Sequence, residues 1–481
     1  MISIVTNSDD SGEGSLRDTI LAARSGSTIM FAKNIDTVNL SSGEIVIDKD
    51  LILDGESVYR TVRRTGSSSS SAKAFVEPDP RLRLESGHGF RIFSVIFGAR
   101  LTMRKIRIQN GYASGPGGGL LVRKGELLAQ FCIFIGNVST SLEHGGGAIC
   151  SLEGGVDLSN CILSYNISGK GGAITANQNL HMSDCIVYKN EATFDSAGGI
   201  NHLGEILVLV RCRVSHNRSG GDGGGVSAVS KHIILDTCRI ENNESRGRGG
   251  GLALIGCEGS QITGCEISCN SCKDFGGGMY LKGNSTITDC LFYKNSSSAS
   301  GGGFMSDDKS DITVIRTTVC DNRSSVIGGG IYLASNDNTF SRCTISKNKA
   351  SVDGSGMYVS NLKNHHLNIN DCIVSGNSIR KGCCDILIAF GFGCIDSCNN
   401  LIGMFNSDVY DFSESNMIDN DPKLHDLADN GKRVKTMALM KSSPARSVSS
   451  DVGACQYDKR SDGLSRICRS ITKKLNDLRS C

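Results

Sequence analysis

Tryptophan is absent from this 481-residue chain, proline occurs only 5 times, and aromatic residues make up 5%. Such a balance suits narrow, regular coils better than a bulky globular core. Charge of one sign is missing too. The 51 basic and 49 acidic residues leave a formal net charge of +2, which gives no basic field for a phosphate backbone and argues against nucleic acid as a partner. Apolar runs are short: the longest candidate, FRIFSVIFGARLTM at 90–103, is broken by Arg91, Ser94 and Arg100, well under the ~18 residues a membrane span needs. The start, MISIVTNSDDSGEGSLRDTI, lacks the basic region and unbroken apolar stretch of a secretory signal.

What the chain has in excess is glycine, at 59, and cysteine, at 21. Its length exceeds the usual ceiling for one hydrophobic core, so the chain is either several domains or a stacked repeat. A recurring hexapeptide decides for the repeat. It reads CIFIGN at 132, CILSYN at 161, CIVYKN at 185, CRVSHN at 212, CRIENN at 238, CEISCN at 265, CLFYKN at 290, CTISKN at 343 and CIVSGN at 372. Aligned on the closing asparagine, the units give Asn137, Asn166, Asn190, Asn217, Asn243, Asn270, Asn295, Asn322, Asn348 and Asn377, with Asn110 before them and Asn399 after. Between them lies a glycine beacon, such as GGGLLV at 117, GGGLALI at 249, GGGMYL at 276 and GGGIYL at 328. A period of this size is the mark of a solenoid.

Within each unit the apolar residues alternate, which is strand periodicity. The residue two places after the Cys is always apolar, as at Phe134, Val214, Ile240 and Val374, so Cys132, Cys161, Cys185, Cys212, Cys238, Cys265, Cys290, Cys343 and Cys372, with Cys394 at the end, are expected to point inward. A strand before the Cys, one after it and a third after the glycines describe an all-β fold: a single-stranded parallel β-helix with three strands per coil. Like side chains then stack at ~4.8 Å. The asparagines form a hydrogen-bonded ladder, the cysteines a column of small buried hydrophobes, and the glycines mark positive φ or close approach. Disulfides are disfavoured because the Cβ vectors of stacked cysteines run parallel. Cys257, Cys265, Cys269 and Cys272 include a C-x-x-C, but no second pair follows at zinc-finger spacing, so no metal and no cofactor is expected. The sequons at Asn137, Asn166, Asn217 and Asn243 read as turn chemistry rather than glycan acceptors.

The expected organisation is an N-terminal cap and first coils at 1–60, a Ser-rich polar insertion at 61–82, the β-helix at 83–400, a C-terminal cap at 401–460 and an amphipathic helical tail at 461–481. Leu16, Ile20 and Leu21 are placed on one face of a capping helix with Ser15 as N-cap and Gly26 as stop.

VTNSDDSGEGSLRDTI resembles the N-terminal module named for its Cys-Ser-Leu-Arg-Glu-Ala signature. NLIG, DPKLHDLADNG, MALMKSSPA and DVGACQ resemble the C-terminal region of right-handed β-helix proteins of the choice-of-anchor type, although Lys432 stands where that pattern has a second glycine. The central repeats are similar to the passenger domains of chlamydial polymorphic outer membrane proteins. The resemblance implies a right-handed, pectin-lyase-like solenoid that is secreted or displayed at a cell surface, with a host or cell-surface protein or glycan as partner.

Because fold does not grant function, catalysis needs its own residues. Gly87-His88-Gly89 resembles part of a polygalacturonase signature, but the paired acids that precede it there are missing. Asp307 and Asp308 form the one adjacent acidic pair on a coil, and no outward column repeats Asp or Glu. The reading therefore favours a non-catalytic adhesion or interaction protein over a polysaccharide lyase or hydrolase, with an internal structural protein as third choice. Its candidate binding strip is the outward position of the third strand: Tyr280, Met305, Tyr332 and Tyr358.

Overall fold

The computed structural model describes residues 1–56, 80–87, 89–308, 310–335, 337–360, 366–380, 382–389, 394–406, 415–418 and 421–447. His88, most of the expected insertion and the expected tail lie outside them. The described chain is a right-handed parallel β-helix with three long sheets of 27, 15 and 9 strands, called sheets 1, 2 and 3 below. A two-stranded antiparallel hairpin, Leu424–Ala428 with Thr436–Leu439, completes the fold.

One coil shows how sequence becomes circuit. His232–Asp236 runs in sheet 1, Arg239–Glu241 in sheet 2 and Glu244–Ser245 in sheet 3, and the chain re-enters sheet 1 at Leu252. The three expected strands are present, those before the Cys and after the glycines sharing sheet 1, and Glu244–Ser245 adds a fourth, short segment in sheet 3. The two-residue strand after the Asn is too short to leave a periodicity. Inward residues stack in register: Val214 lies on Ile240, which lies on Ile267. All three are fully buried, each worth about 1.5–3 kcal/mol of burial.

The corners are not made by glycine alone. The residue before each Cys and the residue before each ladder Asn take the left-handed conformation, as at Thr237 (φ 56°) and Asn242 (φ 54°). This corrects both ends of the predicted Asn column. Asn110 and Asn399 are left-handed corner residues, at φ 57° and 55°. Gly111 takes the first ladder place and donates its N–H to Asn137 Oδ1. At the far end Asp385 accepts from both nitrogens of Asn377, at 2.8 and 2.7 Å. Between these ends the ladder is continuous. Each Asn donates from Nδ2 to a strand carbonyl one coil back and to the Oδ1 of the next Asn, whose Oδ1 also receives the backbone N–H. Asn137, Asn166, Asn217 and Asn243 are buried, so their sequons present no accessible amide.

The cysteine column is polar as well as compact. Cys185 Sγ has Ser183 O at 3.3 Å and Leu158 O at 3.5 Å as acceptors for its single hydrogen while receiving the N–H of Cys161 at 3.5 Å. Cys265 and Cys290 repeat the arrangement, receiving the N–H of Cys238 and of Cys265, and Cys238 Sγ faces Leu209 O at 3.3 Å. The column is therefore a second ladder, of thiols, and where the sequence lacks Cys a hydroxyl or amide replaces it: Thr317 receives Cys290 N–H and Asn400 receives Cys372 N–H. Burial pushes the Cys185, Cys238 and Cys290 thiols up, keeping them protonated as donors. Cys394 does not belong here. It is exposed, pairs with His366 in sheet 1, and leaves the slot to Asn400.

Leu16–Ala22 is the expected helix, with Ser15 accepting from Asp18 N–H. Leu16 and Ile20 are buried, whereas Leu21 is 78% exposed and belongs to the opposite face. The helix ends at Ala22, before Gly26 is reached.

His202 replaces a small residue in the core column, between the rungs of Ala176 and Ala228. Its Nε2–H donates to Gln178 O at 2.8 Å, so Nδ1 accepts from Ser230 Oγ at 2.6 Å. Burial lowers its pKa from 6.5 to about 4. The unfolded chain binds this proton first, so His202 leaves stability intact above pH 6.5 and subtracts about 3 kcal/mol as pH falls to about 4. Urea titrations at stepped pH should show that loss, and His202→Leu should flatten it; an equal slope in the variant would assign the loss elsewhere.

Candidate functional site

The register brings the predicted strip together: Tyr280 lies beside Met305, Met305 beside Tyr332 and Tyr332 beside Tyr358. Its exposure differs from expectation. Tyr280 is 2% and Met305 7% exposed, and Tyr332 and Tyr358 are half-buried with ring centroids 5.5 Å apart. The loop between the ladder Asn and the glycines accounts for Tyr280. From it Arg248 lays its guanidinium over the Tyr280 ring at 4.5 Å and donates to the hydroxyl at 2.9 Å.

Around Tyr280 the coils assemble a charged seam. Asp222 receives Arg248 through both carboxylate–guanidinium contacts, at 3.1 and 2.6 Å. The Tyr280 hydroxyl donates to Asp307, and Lys282 lies 3.2 Å from Asp307 and 3.8 Å from Asp308. Burial raises the Asp307 carboxyl, but Tyr280, the Asp308 amide and Lys282 outweigh it and hold it below its ordinary value. Burial pushes the Tyr280 phenol up. Asp274 also goes up, by burial against the pull of Arg248. Asp222, Arg248 and Asp274 were not singled out in the sequence, although each stands just before a glycine run, in SGGDGGG, RGRGGG and KDFGGG. That common address was the available signal.

Sheet 2 presents a different surface. Its outward columns are Ile133, Ile162, Ile186, Arg213, Arg239, Glu266, Leu291, Thr318, Thr344, Ile373 and Leu401, and beside them Ile135, Ser164, Tyr188, Ser215, Glu241, Ser268, Tyr293 and Cys320. The middle coils are charged and paired, with Arg213 at 2.6 Å from Glu241 and Arg239 at 4.0 Å from Glu266. The coils from Ile133 to Ile186 are apolar in the first column, whereas the coils before them carry Thr37, Arg83 and Arg107 there. Phe131 is 39% and Tyr165 50% exposed, and around the corner Tyr112 and Ile167 are 40% and 39% exposed. Tyr165 meets Tyr188 edge-on at 6.0 Å, Tyr188 meets His216 at 5.3 Å, and Lys189 Nζ stands 5.1 Å over the Tyr188 ring. The late coils are apolar too, but covered. Leu291 and Cys320 pack under Val434 and Met437 of the C-terminal hairpin, with Ile373 and Leu401 under Ala445.

The four cysteines weighed for zinc lie apart. Cys265 is in the thiol ladder, Cys269 is an exposed corner residue, Cys272 is in sheet 3 and Cys257 is in sheet 1. Among the described residues no group of three or more His, Cys, Asp or Glu is placed to hold a metal ion, and no helix is long and apolar enough to cross a membrane.

Stacked coils, an inner Asn ladder and outward faces that vary along the axis define a right-handed parallel β-helix repeat protein. Residues 198–409 match the family model described as right handed beta helix region. A search of curated proteins returned no match.

Proposed function

We propose that the protein is an extended, non-catalytic interaction protein, secreted or displayed at a cell surface, that binds a cell-surface protein or glycan through sheet 2. The observation that carries this reading is the aromatic and aliphatic face on which Phe131 and Tyr165 are exposed and Ile186 and Tyr188 partly exposed, while the next coils use the positions of Ile186 and Tyr188 for ion pairs. Contiguous apolar patches mark contact surfaces. The resemblance to polymorphic outer membrane protein passengers supports the location. Substituting Phe131, Tyr165 and Tyr188 by Ser, and measuring labelled protein on cells and on a glycan panel, should weaken binding at least tenfold; Tyr332→Ser with Tyr358→Ser should leave it unchanged. Equal binding by both variants would sink the assignment of the face.

A second reading, a polysaccharide-acting enzyme, draws on one observation: carboxylates gather about Arg248 and Tyr280, with Asp222 paired to Arg248, Asp307 accepting from Tyr280 and Asp274 in the field of Arg248, and such an enzyme needs two carboxylates across a groove. Shortened or unsaturated products from a glycan panel, abolished by Asp274→Asn, would establish it over the first.

A further inference from the structure

The outer face of sheet 2 carries the same chemistry twice. In the late coils the stretch Cys290-Leu-Phe-Tyr-Lys-Asn295 sets Leu291 and Tyr293 outward with Lys294 Nζ 4.9 Å over the Tyr293 ring. In the early coils Cys185-Ile-Val-Tyr-Lys-Asn190 sets Ile186 and Tyr188 outward with Lys189 Nζ 5.1 Å over the Tyr188 ring. The pairings make these positions equivalent, Ile186 with Leu291 and Tyr188 with Tyr293, four coils apart in the same columns.

Only the late copy is occupied among the described residues. Its cover is a two-stranded antiparallel ribbon in which Leu424 faces Leu439 and Leu427 faces Met437. That ribbon puts Leu424, Leu427, Val434 and Met437 against Leu291, Tyr293 and Cys320. It is fastened at its edge by Lys347 to Asp426 at 2.6 Å and by Arg433 to Asp236 at 3.4 Å. Under it Leu291 and Cys320 are at 0% exposure, whereas Ile186 and Tyr188 are partly exposed and Tyr165 is half in solvent. Within one sheet, then, apolar outward residues are covered by an amphipathic ribbon in the late coils and charged ones are bare in the middle coils, while in the coils before those Ile133 and Ile162 are buried, Ile186 and Tyr188 are partly exposed, and Phe131 and Tyr165 are exposed beside them.

From this we infer that the early face, Ile186 and Tyr188 with Phe131 and Tyr165 at its margin, is the docking site for an amphipathic β-ribbon of another polypeptide, one presenting alternate Leu, Val or Met side chains. The inference rests on the reading of this face as an interaction surface and names its partner as protein rather than glycan. Flat parallel strands suit a ribbon because their outward residues stand in straight rows ~4.8 Å apart, the spacing between the two strands of a ribbon laid along them. Lys189, the corner residue before Asn190, corresponds to Lys347, the corner residue before Asn348 beside the late ribbon, and favours an acidic residue on the partner's edge, the place Asp426 holds.

The probe is the chain's own ribbon, residues 423–440, with its ends joined because Met440 N–H and Lys423 O already meet across them at 2.9 Å. It is labelled with a fluorophore and titrated into the full-length protein by anisotropy. The variant is Ile186→Thr with Tyr188→Ser, residues that the same columns already use at Thr318 and Ser215, so the coil keeps its shape; circular dichroism and the melting transition verify this. Saturable binding that weakens at least tenfold in the variant is the expected result. No binding, or binding undiminished in the variant, overturns the inference. If the peptide fails while cell or glycan binding is still lost in the Phe131, Tyr165 and Tyr188 variant, the β-ribbon partner is wrong and the interaction face stands.

Discussion

Asn243→Ala should destabilise the solenoid by about 4–6 kcal/mol, seen as a large drop in the urea midpoint and as early proteolytic cutting in the middle coils. The side chain makes four buried hydrogen bonds: Nδ2 donates to Val214 O at 2.9 Å and Asn270 Oδ1 at 3.0 Å, and Oδ1 accepts the N–H and the Nδ2 of Asn217, each at 3.0 Å. Each buried bond contributes about 1–1.5 kcal/mol net, and orphaned partners add their desolvation. Water cannot substitute, since residue 243 is 1% exposed. The neighbouring Asn242→Ala gives the contrast. Asn242 is exposed and left-handed, at φ 54°, so its replacement should cost only about 1 kcal/mol of backbone preference. Equal effects at 242 and 243 would remove the ladder from its place as the main polar tie between coils.

Gly250→Ala should be equally damaging for a different reason, at about 3 kcal/mol or more. A Cβ at 250 would lie 2.3 Å from Gly277 O and 2.5 Å from Ser271 O, both backbone atoms of the next coil. Those atoms cannot retreat, because pairing in all three sheets fixes the spacing between coils. Gly259→Ala provides the control: nothing lies within 4 Å of its Cβ and its φ is ordinary, so it should be within about 0.5 kcal/mol of the parent. Denaturation midpoints and soluble yield, measured side by side, decide the matter; a tolerated alanine at 250 would mean the coils are more loosely spaced than their pairing implies.

These two substitutions fall on the most legible features of the chain. The Asn and Gly beacons could be read because a solenoid imposes the same local requirement on every coil, so one position's chemistry repeats until it is visible without coordinates. Asn110 was misplaced by one position because corner and ladder both accept asparagine, and only the register, Gly111 on Asn137, separates them; Asn399 was misplaced onto the wrong column, since it is the corner residue before Asn400, which stands in the thiol column below Cys372. Cys394 was misassigned in the same way: it sits at a repeat-like spacing but on another sheet. The cysteine column was found, yet its role as a hydrogen-bond ladder was not, since thiol–carbonyl geometry leaves no trace in composition.

The binding strip fared differently. Alternation correctly set Tyr280, Met305, Tyr332 and Tyr358 on one outward column, but outward on a strand is not the same as exposed. Arg248, thirty-two residues before Tyr280, closes over its ring. The late apolar rows of sheet 2 are likewise hidden by a hairpin whose own alternation is too brief to announce its target.

The sequence by itself determined the coil, its period, the inward face and the places of the Asn and Cys columns, because those follow from contacts between equivalent residues of neighbouring coils. Only the tertiary structure decided which outward residues meet solvent, since that depends on loops and a C-terminal ribbon arriving from elsewhere in the chain, and no local pattern encodes what will lie on top.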